Sequence, residues 1–195
     1  MMAQLDVTRK TTALLVMDCQ EGIVGALAPS EREKVLTNLS RAITGARKAG
    51  IPIIYVVVQF REGYPEISER NINFRSIKES GRLREGAADA KICRELSPQP
   101  GDVVVTKKRI SAFTGSDLEA VLRSKGIDTL VLTGVSSLGV VESTARFAFD
   151  MDYGIYVLGD CCSDSDPEAN DIAVKRLLPR ISTVCSADDF IAGIS

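Results

Sequence analysis

Apolar and polar positions follow two rhythms along this chain. Short apolar runs predict strands near 12–18, 51–59, 102–106, 128–133, 154–158 and 181–185. Amphipathic stretches between them predict helices at 31–49, 84–96, 116–125, 139–152, 167–178 and 187–193. Strands apolar throughout, alternating with helices, argue for a parallel sheet covered on both faces. Ser30-Glu-Arg-Glu33 and Ser116-Asp-Leu-Glu119 read as capping boxes, and Ser186 precedes acidic Asp188 and Asp189 at another helix start. Gly50-Ile-Pro52 and Gly126 close helices before the next strand. The segment Phe60 to Arg84, rich in Arg, Glu and Asn, lacks clear periodicity and reads equally as a lid or as a surface excursion.

Two predicted strands end on charge. Ala13-Leu-Leu-Val-Met runs into Asp18, and Val103-Val-Val-Thr runs into Lys107 and Lys108. A third, Leu130-Val-Leu-Thr-Gly134, passes through Val135-Ser-Ser-Leu-Gly139 to Val140 at a helix start. Ligands of open parallel sheets bind beyond the carboxyl ends of the strands, so an acid and a base share one rim. Burial raises the pKa of such a carboxyl and a neighbouring ammonium lowers it. Taken alone, Asp18 reads more readily as a helix cap or a solvated loop acid. Strand alternation sends Lys107 and Lys108 to opposite sides without saying which enters a pocket. Gly139 permits close backbone approach, and the following N–H groups form an anion or oxyanion site. Ser136, Ser137 and Ser143 read as turn and cap residues.

Composition narrows the chemistry further. The 195 residues suit one domain, here 1–195, and 45% hydrophobic with 26% charged residues is ordinary for a globule. A net charge of −2 gives no general attraction to nucleic acid or membrane. No apolar run approaches the roughly 20 residues of a membrane span. Met1 to Asp6 carries no basic-then-apolar leader, so a cytoplasmic location is expected. Five cysteines, with Cys161 and Cys162 adjacent, lack metal-ligand spacing and read as reduced thiols. The chain has no histidine, which excludes Ser-His-Asp and Cys-His relays and imidazole-ligated metals. Acid–base work falls to carboxylate, lysine, cysteine or tyrosine, and no metal or cofactor is expected.

Several segments, in order, resemble the isochorismatase-like hydrolases, also called the cysteine hydrolase family. They are Leu14-Leu-Val-Met-Asp-Cys-Gln20, Lys107-Lys-Arg-Ile-Ser-Ala-Phe113 with Gly115-Ser-Asp-Leu118, and Gly134-Val-Ser-Ser-Leu-Gly-Val-Val-Glu-Ser-Thr-Ala-Arg146. Asp152-Tyr-Gly154 and Asp160-Cys-Cys-Ser163 complete the set. The resemblance implies a three-layer α/β/α sandwich around a six-stranded, doubly wound, Rossmann-like parallel sheet, and a homo-oligomer. It places the family's aspartate at Asp18, its lysine at Lys107, and its nucleophilic cysteine at Val140. A cis peptide is implied at Val135–Ser136, with Val135, Ser136 and Gly139 against the substrate.

The departures from the family pattern carry as much weight. Val140 removes the covalent nucleophile of the amidase members. The metal-binding histidines of nicotinamidases are absent, and a histidine common near the Asp-Pro-Glu segment is replaced by Asn170. Cys19 follows Asp18 and should face the other way, while Cys161 and Cys162 follow another strand. Isochorismatases proper work without the cysteine, by protonating a vinyl ether that water then opens to release pyruvate. By that resemblance Asp18 is the acid, Lys107 its partner, and Gln59 a substrate contact. Arg61 and Arg75 are candidate clamps for a carboxylate substrate. A C–N hydrolase with a substitute nucleophile or water, and a catalytically idle binding or assembly module, are the alternatives.

Overall fold

The structure, a computed structural model, describes residues 8–194; the Met1–Asp6 segment read for a leader lies outside them. Six strands form one sheet: β1 (Thr12–Met17), β2 (Ile53–Val58), β3 (Val103–Lys107), β4 (Thr129–Val135), β5 (Gly154–Ser163) and β6 (Thr183–Cys185). All are parallel, in the order β3-β2-β1-β4-β5-β6. The chain builds from β1 outward to β3, then returns to pair β4 on the other side of β1. That reversal opens a crevice beyond the ends of β1 and β4.

The helices are α1 (Glu21–Val24), α2 (Pro29–Lys48), α3 (Ile72–Ser80), α4 (Leu118–Ser124), α5 (Glu142–Asp150), α6 (Pro167–Ile172) and α7 (Ala187–Ile194). Strand alternation sorts the core into two layers. Leu14, Val16 and Ile53 pack with Leu39 and Ile43 of α2 and Phe190 of α7. Leu15, Met17 and Val56 pack on the opposite face with Leu118 and Leu122 of α4 and Ala145 of α5. β1 and β2, at the centre of the sheet, are buried along their whole length because both of their faces are covered. The result is the three-layer α/β/α sandwich expected from the sequence.

Several predicted elements differ from what forms. The helix expected at 84–96 is absent: that stretch holds only short 3-10 turns at Ala88–Ala90 and Arg94–Leu96. Side chains and an extended pairing hold it instead. Asp89 accepts from Leu83 N at 2.9 Å, Gln20 donates to Ala90 O at 2.8 Å, and Gln20 bridges Ile92 antiparallel. Conversely, the excursion from 60 contains α3, capped by the Asn71 side chain accepting from Phe74 N at 3.2 Å. Only Phe74 of α3 is fully buried, so its sequence carries little periodicity. The strand expected at 154–158 runs on to Ser163.

The boxes also resolve unequally. α2 starts at Pro29, so Ser30 lies inside the helix, while Ser116 Oγ donates to Ala112 O and accepts from Leu118 N, the first N–H of α4, at 3.2 Å. Ser186 and Asp189 do satisfy one another: the hydroxyl donates to the carboxylate at 2.6 Å, and Asp189 N donates back to Ser186 Oγ at 3.1 Å.

Candidate functional site

Asp18 follows β1 and is only 6% exposed. Its φ of 53° lies in the left-handed region, where an aspartate is better tolerated than most residues but still at a cost of about 1–2 kcal/mol. Asp18 N donates to Val56 O at 2.8 Å, and Gln20 N donates to Asp18 O at 2.8 Å, which pins that turn. Lys107, the last residue of β3, is 1% exposed and puts Nζ 2.8 Å from Asp18 Oδ2. It also donates to Arg109 O at 2.9 Å and Ile110 O at 3.0 Å. An ammonium has three donors, so all are committed. The other carboxylate oxygen, Asp18 Oδ1, is buried with no hydrogen-bond partner among the described residues. Burial raises the Asp18 pKa above its ordinary 3.8, against the opposing pull of Lys107.

The third strand end needs glycine at 134. There φ is 141°, and a Cβ would stand 2.1 Å from Met17 O, so no side chain fits between β4 and β1. The Val135–Ser136 peptide is cis. Ser136 Oγ accepts from Gly139 N at 3.0 Å, so this N–H serves the cap and is not free for an oxyanion. A π-helical turn, Ser137–Val141, then leads into α5 and carries Val140, which is buried at 3% exposure.

Asp18, Lys107, Val135, Ser136, Gly139 and Val140 line a single cavity of about 570 Å³. Their sequence positions are far apart, and the switch point brings them together. Gln59, Arg61 and Arg75 do not line it. The Gln59 side chain donates to Ala90 O at 3.1 Å. Arg61 pairs with Glu66 at 2.8 Å, and Arg75 lies 3.5 Å from Glu79. Lys108, on the other side of β3, donates to Gln59 O at 2.6 Å and pairs with Glu85 at 3.0 Å. Alternation thus sends one lysine to the cavity and the other to the base of the 60–85 excursion.

The excursion itself forms one wall, through Asn73, Phe74, Ser76, Ile77 and Arg82. Asp164 and Ser165 contribute from beyond β5. These residues were missed in the sequence. The strand-end rule would have found Asp164 had β5 been read to its full length; nothing in the local pattern marks Arg82. No cysteine lines the cavity. Cys19 packs into the α2 layer, and Cys161 and Cys162 divide between the two layers. Burial pushes their thiols up, Cys162 to about 12, so none is a ready thiolate. Among the described residues no group of three or more Cys, Asp or Glu could hold a metal ion, and no helix is long and apolar enough to cross a membrane. A second groove, about 540 Å³ along α2, sits away from every strand end, and its Arg32 and Arg41 are paired with Glu21 and Asp188.

A parallel sheet with this strand order and a buried acid–lysine pair at its switch point defines a class, and comparison with known proteins agrees with it. Residues 12–189 match the isochorismatase domain, and the chain belongs to the isochorismatase family of hydrolases. It is 33% identical over 205 residues to the ureidoacrylate amidohydrolase RutB of Pseudomonas syringae pv. syringae (strain B728a), covering 94% of this chain and 84% of that one. The solved N-carbamoylsarcosine amidase from Thermoplasma acidophilum is 30% identical, with a TM-score of 0.72 over 91% of this chain and 96% of its own. A cysteine hydrolase from Pseudomonas syringae pv. phaseolicola 1448A shares the fold, with a TM-score of 0.88 at 22% identity over 97% and 95% of the two chains.

Proposed function

We propose that this protein hydrolyses its substrate by proton transfer from Asp18 with water as the nucleophile, without a covalent intermediate, and that the substrate is a vinyl ether of the isochorismate type. The observation that carries this reading is Val140 in the cavity wall beside Asp18 and Lys107, where no lining residue offers a thiol. A hydrocarbon there cannot attack a carbonyl, whereas opening a vinyl ether needs only an acid and water.

In this mechanism Asp18 is neutral at the start, with its proton on Oδ1, since Oδ2 accepts from Lys107. The proton goes to the terminal methylene carbon of the vinyl ether, and the C=C electron pair forms the new C–H bond. The ether oxygen stabilises the resulting oxocarbenium ion. Water adds to the carbon that bears the ether oxygen and gives up a proton, which returns to the Asp18 carboxylate. The hemiketal then expels the alcohol and leaves pyruvate. Lys107 holds the carboxyl in position and supports its charge after proton transfer.

The names of two relatives favour a second reading, hydrolysis of an amide with Asp18 activating water as a base. A coupled pyruvate assay on isochorismate, run beside ammonia release from ureidoacrylate and N-carbamoylsarcosine, separates the two. Pyruvate release that disappears in Asp18→Asn is the expected result. Ammonia release with no action on isochorismate would replace the first reading by the second. Absence of turnover on all three, with a specific partner protein bound, would favour an assembly module.

A further inference from the structure

We propose that Arg82 is the residue that recognises a carboxylate group of the substrate, which makes the substrate an organic acid. This rests on the reading of the cavity as the active site but not on the reaction performed there. Lys107 cannot serve, because its three donors go to Asp18, Arg109 O and Ile110 O. That leaves Arg82 as the remaining cation among the lining residues.

Most cations of the excursion are neutralised by neighbours. Arg61 pairs with Glu66, Arg75 with Glu79, Lys78 with Glu69, and Arg84 with Glu62. Arg82 makes no such ion pair among the described residues. Its guanidinium donates instead to the neutral carbonyl of Gly22, another residue of the cavity wall. A guanidinium has five donors, so this single bond, on an exposed side chain, leaves the others available.

The backbone of Arg82 is held as well. Tyr64 Oη donates to Arg82 O at 3.0 Å, and Arg82 N donates to Ile77 O at 3.1 Å. The side chain therefore leaves a fixed point beside Asn73 and Ser76, two neutral polar lining residues. A planar fork in the wall of a cavity suits a carboxylate, which it can bind with two parallel hydrogen bonds. Asp164, the other charged wall residue away from the acid–lysine pair, is engaged in its own turn, accepting from Asp166 N at 3.3 Å and lying 3.5 Å from Ser165 Oγ.

Calorimetric titration of the whole protein with benzoate and with benzamide tests this without any turnover. The two probes share shape and differ in charge. The expected result is about ten-fold tighter binding of benzoate, the worth of one charge-assisted contact. Arg82→Gln should erase that preference and leave benzamide binding and the thermal midpoint unchanged, while Arg82→Lys, which keeps the charge but not the fork, retains part of it. An undiminished preference in Arg82→Gln, or no benzoate binding at millimolar concentration, overturns the proposal. So does an Asp164→Asn variant that reproduces Arg82→Gln, because the guanidinium would then be serving that carboxylate. If isochorismate is not hydrolysed but the Arg82-dependent preference holds, the vinyl-ether reading falls and this one stands.

Discussion

The rim of the sheet and the 60–85 excursion form opposite walls of the same cavity by different physical means. At the rim, positions are fixed by backbone pairing within a buried layer: Asp18 N bonds to β2, Gly134 lies against Met17 O, and the Asp18–Lys107 pair is almost fully enclosed. The excursion is closed at its neck by Phe60 N to Leu83 O and Glu85 N to Phe60 O. It carries its own small core of Phe60, Tyr64, Ile67, Phe74 and Leu83, packed with Val58. Most of its ion pairs are exposed, such as Arg84–Glu62 and Lys78–Glu69. A wall built the first way holds atoms for chemistry. A wall built the second way can change its surface while the sheet stays intact.

Substitutions can break or sharpen that contrast. The largest effect is expected from Lys107→Met, which leaves a buried carboxyl without its cation. Loss of the lysine's three buried hydrogen bonds, to Asp18, Arg109 O and Ile110 O, costs about 3–5 kcal/mol, read by denaturant unfolding at neutral pH, and turnover should fall with it. Next comes Gly134→Ala, whose methyl group must push β1 and β4 apart; overpacking of this kind costs about 3 kcal/mol. Activity should drop at the same time, since the turn to Val140 moves.

The pH dependence of the rim has a definite sign. Burial raises the Asp18 pKa in the folded state above 3.8, so between the two values the folded protein holds the proton more firmly than the unfolded chain. The contribution of that proton to stability is complete below the unfolded pKa and is lost as pH rises through the folded one. Under acid catalysis kcat/KM falls over the same limb, and in Lys107→Met any residual limb moves to higher pH. A limb that rises with pH would assign Asp18 the role of base.

Smaller effects should mark the excursion. Lys108→Met removes donations to Gln59 O and Glu85 at its base, and is expected to cost about 1–2 kcal/mol. KM should rise while kcat stays nearly constant, because Asp18 and Lys107 are untouched; equal losses in both would tie the excursion to chemistry. Arg75→Gln, at an exposed 3.5 Å contact with Glu79, should change stability by less than about 0.5 kcal/mol and leave kinetics unaltered.

The same contrast governs what could be read from sequence. Strands with both faces buried announce themselves, and an acid or cation at the end of an apolar run marks the rim, so Asp18, Lys107 and the Gly134–Val140 turn were legible. The choice between Lys107 and Lys108 came from family resemblance, since alternation alone is symmetric. In the excursion the deciding facts are pairings between side chains distant along the chain. Arg61 and Arg75 looked available because Glu66 and Glu79 give no sign in sequence that they compete for them. The stretch at 84–96 looked helical because its apolar spacing fits a helix, yet Asp89 and Gln20 give its backbone other partners.

Among the described residues β3 lies at the outer margin of the sheet and is hydrogen-bonded to a neighbouring strand only through β2. Two lysines in succession at its end make it sensitive to displacement. A slip by a single residue would exchange Lys107 for Lys108, sending the wrong ammonium to Asp18 and leaving the neck of the excursion without its anchor. The carbonyls of Arg109 and Ile110 fold back onto Lys107 and orient its ammonium toward Asp18. An insertion or deletion inside β3 should therefore disable both walls at once, whereas one after Gly115 should spare them.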